Sequence, residues 1–209
     1  MQSVTSKDYL NILPDFCIYL IARLKKDLAF NIYYHSAEHT LDVIQESYLF
    51  AKEDNLSSRE TELLLIAATF HDAGFLFPAS GDEEIACDMV TSQMKQANNY
   101  TDEEIQLVRT AIMDTKLLFD PEMNLAHQLP NTKLSNYLLD ADMSNLGRDD
   151  FFKKAELVAK EHGKNFKDQK FLEQTWRVCK SKIWYTDAAK KLRQAKHQQN
   201  IAELSKLIA

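Results

Sequence analysis

The chain has few of the residues that mark several common protein classes. Its three cysteines, Cys17, Cys87 and Cys179, lie far apart and form no CxxC pair, so we expect neither a thiolate zinc site nor a disulfide framework. Only four Gly and four Pro occur, which disfavours a turn-rich all-β fold. No apolar stretch approaches the roughly 20 residues of a membrane span, and polar residues close to Met1 interrupt any signal core. The sequence therefore predicts a protein of the reducing cytoplasm without a membrane segment.

Charge is unevenly distributed along the chain. Residues 1–147 contain 10 Lys and Arg against 23 Asp and Glu, whereas residues 148–209 contain 15 against 8. A basic segment can indicate a nucleic-acid partner. Here the basic residues alternate with acids, and no aromatic stacking motif accompanies them. We therefore favour Lys-rich solvated helix faces and regard nucleic-acid binding by residues 148–209 as the weaker alternative.

Helical periodicity dominates the sequence, and the hydrophobic fraction of 45% is sufficient for a sizeable core. The pattern predicts an all-α fold, a helical bundle in which residues 1–209 form a single domain. The predicted helices span residues 8–30, 36–53, 58–71, 82–97, 101–114, 132–143, 149–163, 168–184 and 187–207. Ser36 is a predicted N-cap, and Thr101 and Glu104 form a predicted capping box. Residues 75–80 and 117–131 are predicted to be irregular.

The pair His71-Asp72 directly follows the apolar run of residues 63–70. Because an ionisable pair at the end of a buried helix is costly to bury bare, it must be exposed, hydrogen-bonded or bound to an ion. Two further segments, residues 34–39 and residues 140–142, supply imidazoles and carboxylates. These are ligand types that suit divalent transition metals. The three segments together indicate a metal site.

Four side chains are the candidate ligands: His39, His71, Asp72 and Asp142. Two imidazoles and two carboxylates leave coordination positions free for water, which is typical of catalytic rather than structural metal sites. Asp140 competes with Asp142 for the fourth position, since residues two apart on a helix point in different directions.

The order and separation of these residues resemble the H…HD…D signature of the HD superfamily of metal-dependent phosphohydrolases. Residues 70–75, Phe-His-Asp-Ala-Gly-Phe, look like the core motif of that family. Residues 34–39 are similar to the Tyr-His-Asn-x-x-His segment of cyclic nucleotide phosphodiesterases, although Ser36 replaces the Asn. Residues 140–147 resemble the closing motif of small bacterial HD phosphohydrolases, and the spacing to Leu-Gly favours Asp142 over Asp140.

The resemblance covers roughly residues 30–150 and implies a fold of the HD/phosphodiesterase type. Residues 151–209 would then be an extension of extra C-terminal helices. It also implies that the four candidate ligands hold one metal ion, with Asp72 placed to bridge to a second. Such an ion lowers the pKa of its water and polarises a phosphoryl oxygen. Manganese, magnesium, cobalt, nickel, iron and zinc all suit this ligand set to different degrees.

The resemblance assigns roles to three further residues. His35 matches the phosphodiesterase histidine that protonates the leaving oxygen, a role that suits an imidazole titrating near neutral pH. Glu84 resembles an acid that holds metal-bound water, although a first-turn helix acid is the simpler interpretation. Lys116 follows Asp114-Thr115 and would hold a substrate phosphate, although solvated lysines are more common.

The predicted function is an enzyme, a phosphohydrolase that uses a metal-activated water to cleave a phosphoester of a nucleotide or another small phosphorylated metabolite. The alternative is a non-catalytic helical module that senses a metal or a nucleotide. Histidines that some relatives use for a second iron are absent between residues 72 and 115, which argues against the di-iron oxygenase branch. The exact substrate, the metal and the oligomeric state are not determined by the sequence.

Overall fold

The computed structural model describes residues 8–77, 83–120 and 125–208. Within these ranges the chain forms nine α-helices, three short 3-10 helices and one small β-hairpin, so the predicted all-α helical bundle is confirmed. The helices are α1 Asp15–Asp27, α2 Ala37–Glu53, α3 Ser58–Phe70, α4 Glu83–Ala97, α5 Asp102–Met113, α6 Lys133–Asp142, α7 Phe151–Glu161, α8 Gln169–Ser181 and α9 Asp187–Ile208. The hairpin strands are β1 Leu118–Asp120 and β2 Leu125–His127. None of the described helices is both long and apolar enough to cross a membrane.

Helix α3 lies at the centre of the bundle. Every residue from 63 to 70 is buried, which is expected for a helix that is apolar on all sides. It packs against α1, α2, α4, α5 and α6. A capping box between Ser57 and Glu60 begins the helix, and the main functional candidates, His71 and Asp72, lie directly after its end.

The helix caps agree with the sequence, but the first helix does not. The Ser36 side chain accepts a hydrogen bond from the His39 amide, and the capping box of Thr101 and Glu104 is present. The predicted helix over residues 8–30 is wrong at its start. A 3-10 helix, Asp8–Asn11, precedes Pro14, and α1 begins only at Asp15. Proline has no amide proton and clashes within a helix, so it is tolerated only at the helix start.

The segment predicted to be irregular, residues 117–131, contains the hairpin. Leu118 pairs with His127 and Phe119 pairs with Ala126 in antiparallel register. Three residues per strand give little periodic signal, and this explains why alternation was not recognisable in the sequence. Ala73–Leu76 is likewise a 3-10 helix, where the sequence predicted a loop from Phe75 onward.

The C-terminal helices form a second, smaller hydrophobic cluster. Its buried members are Leu146, Phe151, Ala155, Leu172, Cys179 and Leu204. Helix α9 contacts α2, α8 and the 3-10 helix Ser144–Gly147. Trp184, Ala188 and Ala189 belong to the main cluster, so the segment after residue 181 joins the two clusters.

Ion pairs between the two parts of the sequence explain the uneven charge. Arg193 makes a two-point contact with Glu46, at 2.8 and 2.7 Å. The Asp42 carboxylate accepts a hydrogen bond from the Lys154 ammonium at 2.5 Å and lies 3.4 Å from the Arg148 guanidinium. Arg148, Lys154 and Arg193 of the basic segment thus pair with acids of residues 1–147.

Gly147 allows α9 to approach the 3-10 helix before α7. A Cβ atom at this position would lie 2.6 Å from both the Cβ atom and the carbonyl oxygen of Arg193. We therefore expect Gly147→Ala to lower the free energy of unfolding by about 1–3 kcal/mol, since backbone of α9 must shift. Urea unfolding measures this change. Gly163→Ala is the comparison: Gly163 lies at φ +63° with open space around it, so this substitution introduces conformational strain without a collision. An unchanged urea midpoint for Gly147→Ala would contradict the expectation.

Candidate metal centre

Three separate helices deliver the four candidate ligands to one place. His39 lies in the first turn of α2, where the Ser36 cap fixes the start of the helix. His71 and Asp72 directly follow α3. Asp142 is the last residue of α6. Helix α3 packs against both α2 and α6, so the ends of the three helices meet.

The ligand atoms are spaced like neighbours around one cation. His39 Nε2 lies 3.4 Å from His71 Nε2 and 3.5 Å from Asp72 Oδ2, and His71 Nε2 lies 3.1 Å from Asp72 Oδ2. Asp142 Oδ1 is 3.2 Å from His39 Nε2 and 3.6 Å from His71 Nε2. Ligands bound at about 2.1 Å with angles of about 90–110° are about 3.0–3.4 Å apart. His39, His71 and Asp72 thus form a group that could hold one metal ion. Asp142 lies beside the two imidazoles but is not part of that group.

A backbone hydrogen bond orients the ring of His71. Its Nδ1 atom donates to the carbonyl oxygen of Ala68 at 2.8 Å, and this leaves Nε2 as the lone-pair nitrogen of the neutral ring. The ring is buried. Although burial opposes the charged form, Asp72 and Asp142 raise the pKa of His71 to about 9. A proton therefore occupies the position that a cation would compete for.

The surroundings of the Asp72 carboxylate indicate whether a cation fits at this site. Its Oδ2 atom is buried and has no hydrogen-bond partner among the described residues, although His71 Nε2 is only 3.1 Å away. Burial works against its ionisation, yet the imidazoles of His71, His35 and His39 hold the pKa of the Asp72 carboxyl well below its usual range. A buried carboxylate oxygen with imidazole nitrogens at 3.1 and 3.5 Å needs a positive charge beside it, either a proton on an imidazole or a bound cation. The donor set, two nitrogens and two carboxylates, therefore fits a divalent cation.

Asp140 and Asp142 have different surroundings in the structure. Asp140 is fully buried and accepts hydrogen bonds from Lys182, Tyr185 and Thr186, at 2.8–3.2 Å. It anchors the segment between α8 and α9. Asp142 faces the two histidines instead, because two residues along a helix turn the side chain by about 200°.

Gln128 holds the Asp142 carboxylate from the other side. Its Nε2 atom donates to Asp142 Oδ2 at 2.8 Å and to the carbonyl oxygen of Thr115 at 2.7 Å. The backbone carbonyl oxygen of Gln128 accepts a hydrogen bond from the Tyr185 hydroxyl at 3.0 Å. Outer contacts of this kind orient a metal-binding carboxylate. Nothing in the sequence around Gln128 indicated this contact.

His35 is paired with a residue that sequence reasoning missed, Glu161 at the end of α7. His35 Nδ1 hydrogen-bonds to Glu161 Oε1. Glu161 Oε2 accepts from the amides of Tyr33, Tyr34 and His35, at 2.8, 2.7 and 3.1 Å. The one sequence signal was an acid at a helix C-terminus, where the helix dipole disfavours negative charge.

The surroundings of His35 favour its protonated form. Burial opposes that form, but Asp72 and the hydrogen bond that His35 donates to Glu161 raise the pKa of His35. In turn, although burial opposes ionisation, the His35 contact and the backbone donors lower the pKa of Glu161 to about 2. The His35 ring stacks on Phe75, with centroids 4.4 Å apart and planes 8° from parallel. The imidazole is therefore held in position, and its protonated form is favoured.

The two remaining candidates differ in where they lie. Lys116 is exposed and lines the same cleft as His35, Asp72 and Asp142. The assignment of Glu84 is not supported, because Glu84 is exposed on α4 and is not among the described cleft-lining residues. Its neighbour Glu83 lines the cleft instead. Consecutive helical residues point about 100° apart, so a shift of one residue changes which acid faces the cleft.

The cleft has a volume of about 540 Å³, which is in the range of small-molecule sites. One side carries His35, Asp72 and Asp142, and the other side is built from α7, α8 and the loop between them. The residues from this second side are Phe151, Ala155, Val158, His162, Lys164, Phe171, Gln174, Thr175 and Val178. Residues 151–209, which the resemblance implied to be an extension, thus form one side of the cleft through α7 and α8.

Comparison with known proteins gives the fold alone. No family model matches the chain, and no curated protein matches its sequence. The structure is similar to the crystal structure of a structural genomics target from Lactobacillus plantarum, with a TM-score of 0.60. The two sequences are 18% identical, and the match covers 93% of this chain and 97% of that chain. The architecture therefore extends over nearly the whole of both proteins.

Proposed function

We propose that this protein is a metal-dependent phosphohydrolase of the HD type. The observation that carries the proposal is the convergence of His39 Nε2, His71 Nε2 and Asp72 Oδ2, which lie 3.1–3.5 Å from one another. These residues and Asp142 would hold the ion. When bound, a divalent cation supplies Lewis-acid chemistry, since it acidifies water and polarises a phosphoryl oxygen.

The role of His35 in this proposal is that of a general acid. Water adds to phosphorus, the bond between phosphorus and the ester oxygen breaks, and the departing oxygen takes the proton of the His35 imidazolium. The imidazole then recovers the proton that water releases, so the products are an alcohol and phosphate. The hydrogen bond from His35 Nδ1 to Glu161 leaves Nε2 as the nitrogen that donates this proton.

The substrate in this proposal is a small phosphorylated metabolite, and nucleotides are one class of it. Lys116 on the rim of the cleft is a suitable point charge for a phosphate oxygen.

The described cysteines, Cys17, Cys87 and Cys179, are free and buried, which fits a reducing cytoplasmic compartment.

Metal removal tests the proposal directly. We expect the purified protein to contain about one divalent ion per chain, and we expect chelation to lower phosphate release more than about 100-fold. Reloading with Mn²⁺, Co²⁺, Mg²⁺, Ni²⁺, Fe²⁺ or Zn²⁺ should restore turnover of at least one ester in a panel of mono- and diesters. Elemental analysis and phosphate release are the measurements.

The same experiment distinguishes the alternative function. Circular dichroism of the stripped protein shows whether the helices remain folded, so a loss of turnover can be attributed to the missing ion. If the fully metallated protein cleaves no ester of the panel, the hydrolase proposal is wrong. Calorimetric binding of a nucleotide without any product after long incubation would then support the sensing module.

A further inference from the structure

The cleft continues from the candidate metal centre to a regular surface on α7 and α8. The polar residues His162, Lys164 and Gln174 line this side of the cleft, and six further lining residues form two regular sets. The sets are Phe151, Ala155 and Val158 on α7, and Phe171, Thr175 and Val178 on α8. Each set has the spacing i, i+4, i+7, which places it on one face of its helix. We call these six residues the α7–α8 wall.

The α7–α8 wall offers almost no hydrogen-bonding capacity. Five of its six side chains are hydrocarbon, and the hydroxyl of Thr175 already donates to the carbonyl oxygen of Phe171 at 2.8 Å. The acids that line the cleft, Asp72, Glu83 and Asp142, come from other parts of the chain. A ligand group with many hydroxyls would lose hydrogen bonds to water against this surface, whereas an apolar group would not.

We propose that the α7–α8 wall selects the alcohol part of the substrate and that this alcohol is apolar, an aryl or branched alkyl group and not a sugar or polyol. Among the phosphorylated metabolites of the proposed function, this disfavours nucleotides, whose alcohol part is a sugar. The inference rests on the hydrolase function proposed above. The inference is based on the shared cleft, since His35, Asp72 and Asp142 line the same cleft as the wall. An ester whose phosphate reaches the candidate centre therefore extends its alcohol toward α7 and α8. The volume of about 540 Å³ also leaves room for more than a phosphate group.

Two phosphomonoesters of primary alcohols test this inference on the metallated protein. Benzyl phosphate and glycerol 3-phosphate have leaving alcohols of similar acidity, so the chemical step does not by itself favour either. We expect kcat/KM for benzyl phosphate to exceed that for glycerol 3-phosphate at least about tenfold, because only the phenyl ring is desolvated favourably against the wall. Ribose 5-phosphate is expected to behave like glycerol 3-phosphate.

Isosteric substitutions in the wall should change this preference in opposite directions. Val158→Thr and Val178→Thr each place a hydroxyl in the wall at constant shape, and together they should lower the benzyl-to-glycerol ratio about tenfold. Thr175→Val removes the one hydroxyl and should raise the ratio about twofold. Ile18→Thr, at an exposed position on α1 that does not line the cleft, is the matched control and should keep the wild-type ratio.

The outcomes separate this inference from the function on which it rests. Absence of turnover with every ester overturns the proposed hydrolase. Turnover with equal kcat/KM for the two esters, or a preference for the glycerol or ribose ester, leaves the hydrolase standing and overturns the apolar alcohol. If the Thr variants unfold, Thr175→Val still decides, because a ratio that falls or stays at the wild-type value contradicts an apolar wall.

Discussion

Asp142→Ala is expected to lose more than about 100-fold in kcat/KM while the protein remains folded. The carboxylate lies 3.2 Å from His39 Nε2 and 3.6 Å from His71 Nε2, so its removal deletes a proposed ligand. Substitution of residues that only orient a ligand typically costs 10–100-fold, and a direct ligand should cost more. The free energy of unfolding without metal should fall less than in Asp140→Ala, because Gln128 keeps its contact with the carbonyl oxygen of Thr115 and His39 Nε2 still faces Asp72 Oδ2 at 3.5 Å.

Asp140→Ala is the matched control, two residues earlier on the same helix. Asp140 is fully buried and pairs with the almost buried ammonium of Lys182 at 2.9 Å. Removing one member of a buried ion pair costs about 3–5 kcal/mol, and here the Thr186 contacts are lost as well. Urea unfolding and elemental analysis of both variants measure the contrast. A stable Asp140→Ala protein, or an Asp142→Ala protein with full metal and activity, would contradict the assignment of the two carboxylates.

Glu161→Gln is expected to lower kcat about 10- to 100-fold with a smaller effect on KM. General acid catalysis contributes about 10²–10⁴-fold in enzymes, and this substitution keeps His35 but removes the charge that fixes it. The pKa of His35 is raised by Asp72 and by the hydrogen bond to Glu161, against the opposing effect of burial, so the pKa should fall in the variant. Because His35 acts in its protonated form, the alkaline limb of the pH–rate profile should move to lower pH.

A double-mutant cycle separates positioning of His35 from a general effect on folding. In a His35→Ala background, Glu161→Gln should cause little further loss, since the residue through which it acts is already gone. Glu156→Gln, at an exposed position on α7, is the matched control and should resemble the wild type. An equal loss from Glu161→Gln with and without His35 would show that Glu161 acts only on the stability of the segment 33–35.

Local patterns in the sequence were sufficient for the helices and for the ends that carry the site. Ser36 as N-cap and the apolar run before His71 follow from rules that involve only a few neighbouring residues. Pro14 shows where attention to periodicity alone failed, because one residue without an amide proton overrides an otherwise helical pattern. The hairpin was missed because strands of three residues are shorter than any recognisable alternation.

The residues of the candidate site likewise fall into those that sequence spacing predicts and those that depend on tertiary packing. His39, His71 and Asp72 carry a spacing that the sequence displays, and the structure brings them together. The choice between Asp140 and Asp142, or between Glu83 and Glu84, depends on how a helix is rotated about its axis. One residue changes that direction by about 100°, so the answer depends on packing against α3 and on the segment after α8.

What the sequence by itself determined is the all-α class, the helix caps at Ser36 and Thr101 and the residue types of the candidate metal centre, because each depends on neighbours within one or two turns. Only the tertiary structure decided that Glu161 holds His35, that Gln128 holds Asp142, and that α7 and α8 form the far wall of the cleft. These contacts join residues up to 128 positions apart, and no local pattern records them, since they arise when the two hydrophobic clusters pack together.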